Sequence, residues 1–397
     1  MPLQSSGAIS LTDIQTEFGG ANPISINEYY QNGGIVGAVF GIPTSGQIAF
    51  SDFYGKSNFI MPDQGIFAFG NNNSGPPGGN SSTGVLSYNT ISKSNIITNQ
   101  GVVASDTSNT TATARQNAGG SGYGGDKAIV TFGGPDASNI ETTNRYNLIN
   151  NLGIISADTT TSAATRKMAA TQAEYGGDRA ISIGGFGNTG GGGGGNPIYY
   201  NNKYNLITNT GVVQSDSTTP TGYISSTNAR VGVRYGGDKA FFYKDINSRP
   251  ANLTQASSYT YNINLVSNTG QIANDVTGVT SFRNSAASSG YGGDKATIVY
   301  GGRWYDTSYW TTSTLISNTG TFVGVSNSLG TGRSGSSGTT YGRDKAIIGY
   351  GAVITAQTGA SVSLGYKFTY INNLGVLTSE VNAVGSERQY GIGAGIG

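Results

Sequence analysis

The sequence predicts an all-β fold: a six-bladed β-propeller over residues 61–397, preceded by a small segment, residues 1–60, that carries short helices. Three observations lead there. A string close to Tyr-Gly-Gly-Asp-Lys-Ala recurs at intervals of about 50–60 residues, a second string of the form Asn-x-Gly recurs out of phase with it, and no amphipathic helix interrupts residues 63–397.

The first string stands at Tyr123, Tyr175, Tyr235 and Tyr291, and as YGRDKA at Tyr341, with a degenerate copy at Asp63-Gln64-Gly65. Each copy runs into an apolar stretch: IFAFG after Gly65, IVTFGG after Ala128, ISIGG after Ala180, FFYK after Ala240, TIVYGG after Ala296 and IIGYG after Ala346. Short β-branched and aromatic runs bounded by Gly read as buried strands. The second string stands at Asn99-Gln100-Gly101, Asn151-Leu152-Gly153, Asn209-Thr210-Gly211, Asn268-Thr269-Gly270, Asn318-Thr319-Gly320 and Asn373-Leu374-Gly375. An aromatic residue precedes several copies: Tyr88, Tyr146, Tyr204 and Tyr261, with Phe368 at a similar offset. A turn between extended apolar runs is a hairpin signal. An Arg closes each unit: Arg115, Arg166, Arg230, Arg283, Arg333 and Arg388. Each unit therefore reads as strand, long loop, strand, tight turn, strand, Thr/Ser-rich loop and a fourth strand leading to the next Tyr-Gly-Gly. Six such sheets set radially protect their own edges.

Composition narrows the function. The chain has 64 Gly in 397 residues, roughly twice the usual ~7%. Charged residues make up 11%, less than half the usual ~25%. With 22 basic and 21 acidic residues spread along the chain, no basic run exists to neutralise a phosphate backbone, so no nucleic acid is expected as a partner. No long apolar or polybasic stretch points to membrane insertion. The chain has neither Cys nor His, which removes disulfides, thiolate sites, the commonest general base and the commonest zinc and copper ligand. No cofactor, metal or catalytic residue is expected. The start, MPLQSSGAIS, carries no basic and apolar stretches of a signal peptide, so synthesis in a reducing cytoplasm is expected.

The order apolar strand, Gly-Gly, Tyr and distant Arg resembles the kelch repeat over about five-sixths of the chain. It departs from that repeat where a Trp is usual, carrying apolar pairs such as Val102-Val103 and Ile154-Ile155, and Tyr243-Lys244 stands where the fourth unit would have its double Gly. The resemblance would admit galactose-oxidase-like copper chemistry, but that cofactor needs His and Cys.

Residues 1–60 hold an internal echo: Ser6 to Ile14, SGAISLTDI, against Ser45 to Phe53, SGQIAFSDF. Thr12-x-x-Gln15 and Ser25-x-x-Glu28 are candidate capping boxes, opening short helices that Gly19 and Gly33 would end. The segment resembles a leader of tailed-bacteriophage virion proteins, notably of cyanophages, with its patterns SGxISLxD and SGxISLSDxYGK; the second reads SGQIAFSDFYGK here, Ser45 to Lys56. The resemblance implies a virion structural protein, assembled in a host cytoplasm and present in several copies per particle. Residues 1–60 would bind other virion proteins, with Ile9, Leu11, Ile14, Phe18, Ile48, Phe50, Phe53 and Tyr54 as candidate anchor residues.

Two repeated polar groups invite chemistry. The Asp of Tyr-Gly-Gly-Asp could form a cation-binding ring, but Asp after Gly-Gly is a turn acceptor, and the adjacent Lys127, Arg179, Lys239, Lys295 and Lys345 would cancel its charge. The repeated Arg suggests the carboxylate grip of sialidases; one per blade at a constant position argues for a structural bond between blades. Gly190 to Gly195 is a glycine run without the Lys-Ser/Thr of a phosphate loop. The loop RWYDTSYWTT offers Trp304, Tyr305, Tyr309 and Trp310 as a contact platform for sugars or protein, or as mutual loop packing. The expected function is a non-enzymatic contact body of a tail fibre, appendage or decoration. The alternatives are an adhesin for host-surface glycans or a receptor and, behind it, a polysaccharide-degrading enzyme, which needs a carboxylate pair that the sequence does not offer.

Overall fold

In the computed structural model the chain divides into two compact units, Met1–Met61 and Pro62–Gly397. The residues described are 3–4, 6–31, 35–36, 42–54, 56, 63–72, 90–134, 143–166, 171–187, 198–199, 203–219, 231–245, 261–274, 276–277, 285–301, 311–327, 330–354, 362–364 and 366–397.

The second unit is a six-bladed β-propeller of four-stranded antiparallel sheets. From the channel outward, blade 1 is built of Ile392–Ile396, Gln64–Ala68, Lys93–Ile97 and Thr107–Ser108. Blade 2 has Gly119–Tyr123, Lys127–Thr131, Arg145–Ile149 and Thr159–Thr160, and blade 3 has Thr171–Tyr175, Arg179–Ile183, Lys203–Ile207 and Ser217–Thr218. Blade 4 has Val231–Tyr235, Lys239–Asp245, Tyr261–Val266 and Val276–Thr277. Blade 5 has Ala287–Tyr291, Lys295–Val299, Thr312–Ile316 and Phe322–Asn327, and blade 6 has Ser337–Tyr341, Lys345–Gly349, Lys367–Ile371 and Leu377–Asn382. The sequence repeat is out of phase with the blade: a unit begins on a second strand and ends on the next blade's inner strand. Blade 1 is completed from both ends of the unit, Gln64–Ala68 pairing with Ile392–Ile396 from Gln64↔Ile396 to Ala68↔Ile392.

The second strands read as continuous apolar runs because each is covered on both faces by neighbouring blades. Ile129 and Val130, Phe241 and Phe242, and Ile347 and Ile348 are all fully buried. The core lies between blades: Ile66 and Ile392 of blade 1 pack with Val130 and Ile149 of blade 2, and Val233 and Phe241 of blade 4 with Ile298 and Ile316 of blade 5.

Both repeated strings serve the seams. In Tyr-Gly-Gly-Asp the glycines adopt left-handed backbone, as at Gly124 (φ 62°) and Gly125 (φ 83°), so the chain reverses between inner and second strands. The amide of the first Gly donates to the carbonyl of the next blade's turn Asp: Gly124 to Asp178, Gly176 to Asp238, Gly236 to Asp294, Gly292 to Asp344 and Gly342 to Asp63, with Gly397 to Asp126 closing the circle, all at 2.6–2.8 Å. The Tyr rings pack on the Gly of the next blade's Asn-x-Gly turn. A Cβ on Gly211 would lie 2.9 Å from Tyr123, one on Gly270 2.9 Å from Tyr175, and one on Gly320 2.9 Å from Tyr235. Burial pushes the hydroxyls of Tyr235 and Tyr341 up to about 12.

The first unit has one α-helix, α1 (Leu11–Phe18), and two 3-10 helices, Ile26–Tyr29 and Phe50–Phe53. The first cap differs from the sequence reading. Ser10, not Thr12, is the N-cap, with its side chain accepting from the Asp13 amide while Asp13 accepts from the Ser10 amide at 2.8 Å. The helix starts two residues earlier than the Thr12 cap would place it, and Ile14 and Phe18, four residues apart, share its buried face. Gly19 ends this helix, and Ser25 caps the second, which closes at Tyr30 and not at Gly33. The sequence echo is also structural: Asp52 accepts from the Ala49 amide at 2.8 Å, as Asp13 does from Ser10.

Candidate functional site

The repeated Arg residues stand in the segments that lead from an outer strand to the next inner strand, and four of them are described. Arg115, Arg166, Arg333 and Arg388 are among the largest fully buried side chains of the molecule. Each guanidinium lies over an aromatic ring at the end of one blade's second strand: Arg115 over Phe69 at 4.9 Å, Arg166 over Phe132 at 4.9 Å, Arg333 over Tyr300 at 4.6 Å and Arg388 over Tyr350 at 4.3 Å. These four aromatics hold φ of 58–60°, a conformation unfavourable for bulky side chains. Each is followed by a Gly of positive φ, which explains the aromatic-Gly that ends the apolar runs.

Every Arg then reaches across the seam. Arg115 donates to Asn147 and lies 3.6 Å from Asp158 in blade 2; Arg166 donates to Asp216 in blade 3. Arg333 donates to the Lys367 carbonyl and Thr369 in blade 6. Arg388 donates to the Lys93 carbonyl at 3.0 Å and lies 3.6 Å from Asp106 in blade 1. An Asn of the third strand completes the cluster: Asn95, Asn147 and Asn205 donate both to a carbonyl of the segment leading into the outer strand (Ala104, Ser156 and Gln214) and to Asp106, Asp158 and Asp216. Asn264 stands at the equivalent register of blade 4, opposite Phe242. Of the aromatic residues that precede the Asn-x-Gly turns, Tyr146, Tyr204 and Phe368 stand one residue before this position, whereas in blades 1 and 4 strand pairing puts Asn95 and Asn264 there, further along the chain than Tyr88 and Tyr261.

Electrostatics follow the packing. Burial alone would raise the pKa of Asp106, but hydrogen bonds from Ser386, Lys93 and Asn95 overcome it and bring it down to about 2. At Asp158 burial is likewise outweighed by Thr113, Asn147 and Arg115, and the pKa is lowered. Burial depresses Arg115 to about 10 and lowers Arg388 as well. The four described arginines each serve a different seam and do not converge on one another.

The turn carboxylates are engaged by side chains. Asp126 takes Lys127 at 2.7 Å and Asn151 at 3.2 Å, and Asp294 takes Lys295 at 3.3 Å and Asn318 at 3.0 Å. The Asp carbonyls receive the amide of the preceding blade's first turn Gly, and the Asp238 side chain also takes a main-chain hydrogen bond, in keeping with the turn-acceptor role the sequence suggests.

The channel holds what sequence reasoning missed. Glu174 and Arg234, facing it from the inner strands of blades 3 and 4, form a buried ion pair at 2.8 Å, and the Gly122 amide of blade 2 donates to Glu174 at 3.0 Å. A cavity of about 100 Å³ is lined by inner-strand residues including Gly120, Gln172, Ser288 and Gly338. Gln172 is buried and neither of its amide atoms has a hydrogen-bond partner. The cavity is far smaller than the ~300–1,000 Å³ of ordinary ligand pockets. Among the described residues no three acidic side chains come together.

Trp304, Tyr305, Tyr309 and Trp310, and with them the glycine run, Tyr88, Arg230 and Arg283, lie outside the described residues. Of the anchor candidates, Ile14, Phe18 and Phe53 are buried in the core of the first unit with Tyr29, and Ile9, Leu11 and Ile48 pack partly against it. Phe50 and Tyr54 are exposed.

No family model matches this chain. No curated protein matches it either. Among solved structures it is similar to that of YjhT, at 14% identity and a TM-score of 0.46 over 70% of this chain and 87% of that one. It is also similar to a protein of unknown function from Bacteroides caccae, at 11% identity and a TM-score of 0.44 over 84% of this chain and 99% of that one.

Proposed function

We propose that the chain is a structural component of a tailed-phage virion, in which residues 1–60 attach to other virion proteins and a kelch-like propeller serves as a contact body without catalytic activity. The observation that carries the reading is the leader. Its two related strings, SGAISLTD and SGQIAFSDFYGK, each open a short helix whose first turn is capped by the same bond from a main-chain amide to an Asp, and apolar residues of both pack in one small core. Phe50 and Tyr54 remain outside that core and are the residues proposed to meet the particle. The non-catalytic part draws its support from the seams, where the repeated Arg, Asp and Asn side chains hold blades together.

The test is the composition and labelling of purified particles. Mass spectrometry of gradient-purified virions encoding this chain should find it in several copies, and antibody against the propeller should label intact particles at a fixed place. A chain recovered only from the host lysate would overturn the virion role. Reducing-sugar release from host polysaccharide by the purified chain would overturn the non-catalytic one.

A further inference from the structure

We propose that the propeller associates with a second copy of itself through an arc of exposed aliphatic side chains on the face that carries the Asn-x-Gly turns. The observation begins with the apolar pairs that follow these turns. Val103, Ile155 and Val213, the second members, are 8% exposed or less and pack into the blades. The first members do the opposite. Val102, Ile154, Val212 and Val376, together with Leu152 and Leu374 inside their turns, are 54–73% exposed. The fold needs no apolar group there: blades 4 and 5 carry Gln271 and Thr321 at the position after the Gly and make the same turn. Six of the ten exposed large hydrophobic side chains among the described propeller residues fall on this arc, and they occupy four successive blades, 6, 1, 2 and 3. Exposed apolar groups gathered on one face mark interaction surfaces.

Charge selects the occupant. On the same face the turn carboxylates are paired within their own copy: Asp126 with Lys127, Asp178 with Arg179, Asp294 with Lys295, Asp344 with Lys345 and Asp63 with Arg343, at 2.7–3.5 Å. Among the described residues these turn carboxylates thus leave no unbalanced charge on the face to attract an acidic or basic partner or to repel its own image. The chain as a whole carries a formal charge of +1, so self-association meets little long-range repulsion. An arc spanning four of six blades overlays itself when a two-fold axis passes through its middle, between blades 1 and 2, which is the geometry of an isologous dimer.

Sedimentation velocity of the full chain across a wide concentration range tests this. The wild type is expected to move from monomer to dimer as concentration rises. Leu152→Glu combined with Ile154→Glu is expected to weaken dimerisation at least tenfold, with an unchanged far-UV spectrum and melting temperature, since both side chains are exposed. Gln271→Glu, off the arc, is expected to dimerise like the wild type. A wild type that stays monomeric throughout overturns the proposal and leaves the arc to a foreign protein. A double variant that dimerises as well as the wild type, or a Gln271→Glu chain that fails equally, overturns it too.

Discussion

Gly270 sits in the Asn-x-Gly turn of blade 4 with φ 84°, and a methyl group placed on it would lie 2.9 Å from Cε2 and 3.1 Å from Cζ of Tyr175 in blade 3. Gly270→Ala therefore has two separable costs. A Cβ in the left-handed region costs about 1–2 kcal/mol. Overlap with a buried ring adds about 1–3 kcal/mol, because Tyr175 is 2% exposed and hemmed in by its own blade. The substitution should destabilise the propeller by about 2–5 kcal/mol in total. In a Tyr175→Leu background the steric part vanishes and the cost should fall to about 1–2 kcal/mol, a coupling visible in a double-mutant cycle. Guanidinium unfolding followed by far-UV circular dichroism gives each corner of the cycle. If Gly270→Ala costs the same in both backgrounds, the turn does not bear on the Tyr of the preceding blade and the interlock is wrong.

Two further outcomes follow from the seams. Arg388→Ala should destabilise by about 3–5 kcal/mol, because it leaves Asp106 and the Lys93 carbonyl without their guanidinium, while Arg145→Ala should cost under about 1 kcal/mol, its side chain being 46% exposed beside Asp158; equal melting temperatures for the two variants would contradict this. Asp106 has a folded pKa of about 2 against an unfolded ~3.9, so its ionised form contributes stability above pH ~4 that is lost as pH falls through 2. Asp106→Asn should lower stability near pH 7 by about 1–2 kcal/mol after solvent screening and flatten the acid limb. An unfolding-versus-pH curve as steep as that of the wild type would assign the limb to other carboxylates.

The blades were legible because their markers are main-chain demands. A left-handed turn needs Gly124-Gly125, a ring pressed on a turn needs Gly211 or Gly270, and such demands recur at every seam in the same residue types. Where blade 1 closes was hidden, since a repeat has period but no phase. Glu174 and Arg234 were hidden for the opposite reason: the equivalent channel-facing positions hold Gly122, Gly290, Thr340 and Gly395, so the pair belongs to no repeat. The third-strand Asn was half visible. Tyr146-Asn147 and Tyr204-Asn205 show it, but long preceding loops displaced the pattern near Asn95 and Asn264, where only register reveals it. In the first unit two overlapping capping patterns competed, and burial of Ile14 and Phe18 decided for Ser10.

Amide hydrogen exchange at Gly124, Gly176, Gly236, Gly292, Gly342 and Gly397 reads the circle of turn-to-turn hydrogen bonds directly. If the repeated strings exist to lock six blades into one closed body, all six amides will exchange together, only through global unfolding of the propeller, and Gly270→Ala will accelerate all of them equally. Independent exchange, with one blade's amide opening while its neighbours stay protected, would contradict that claim.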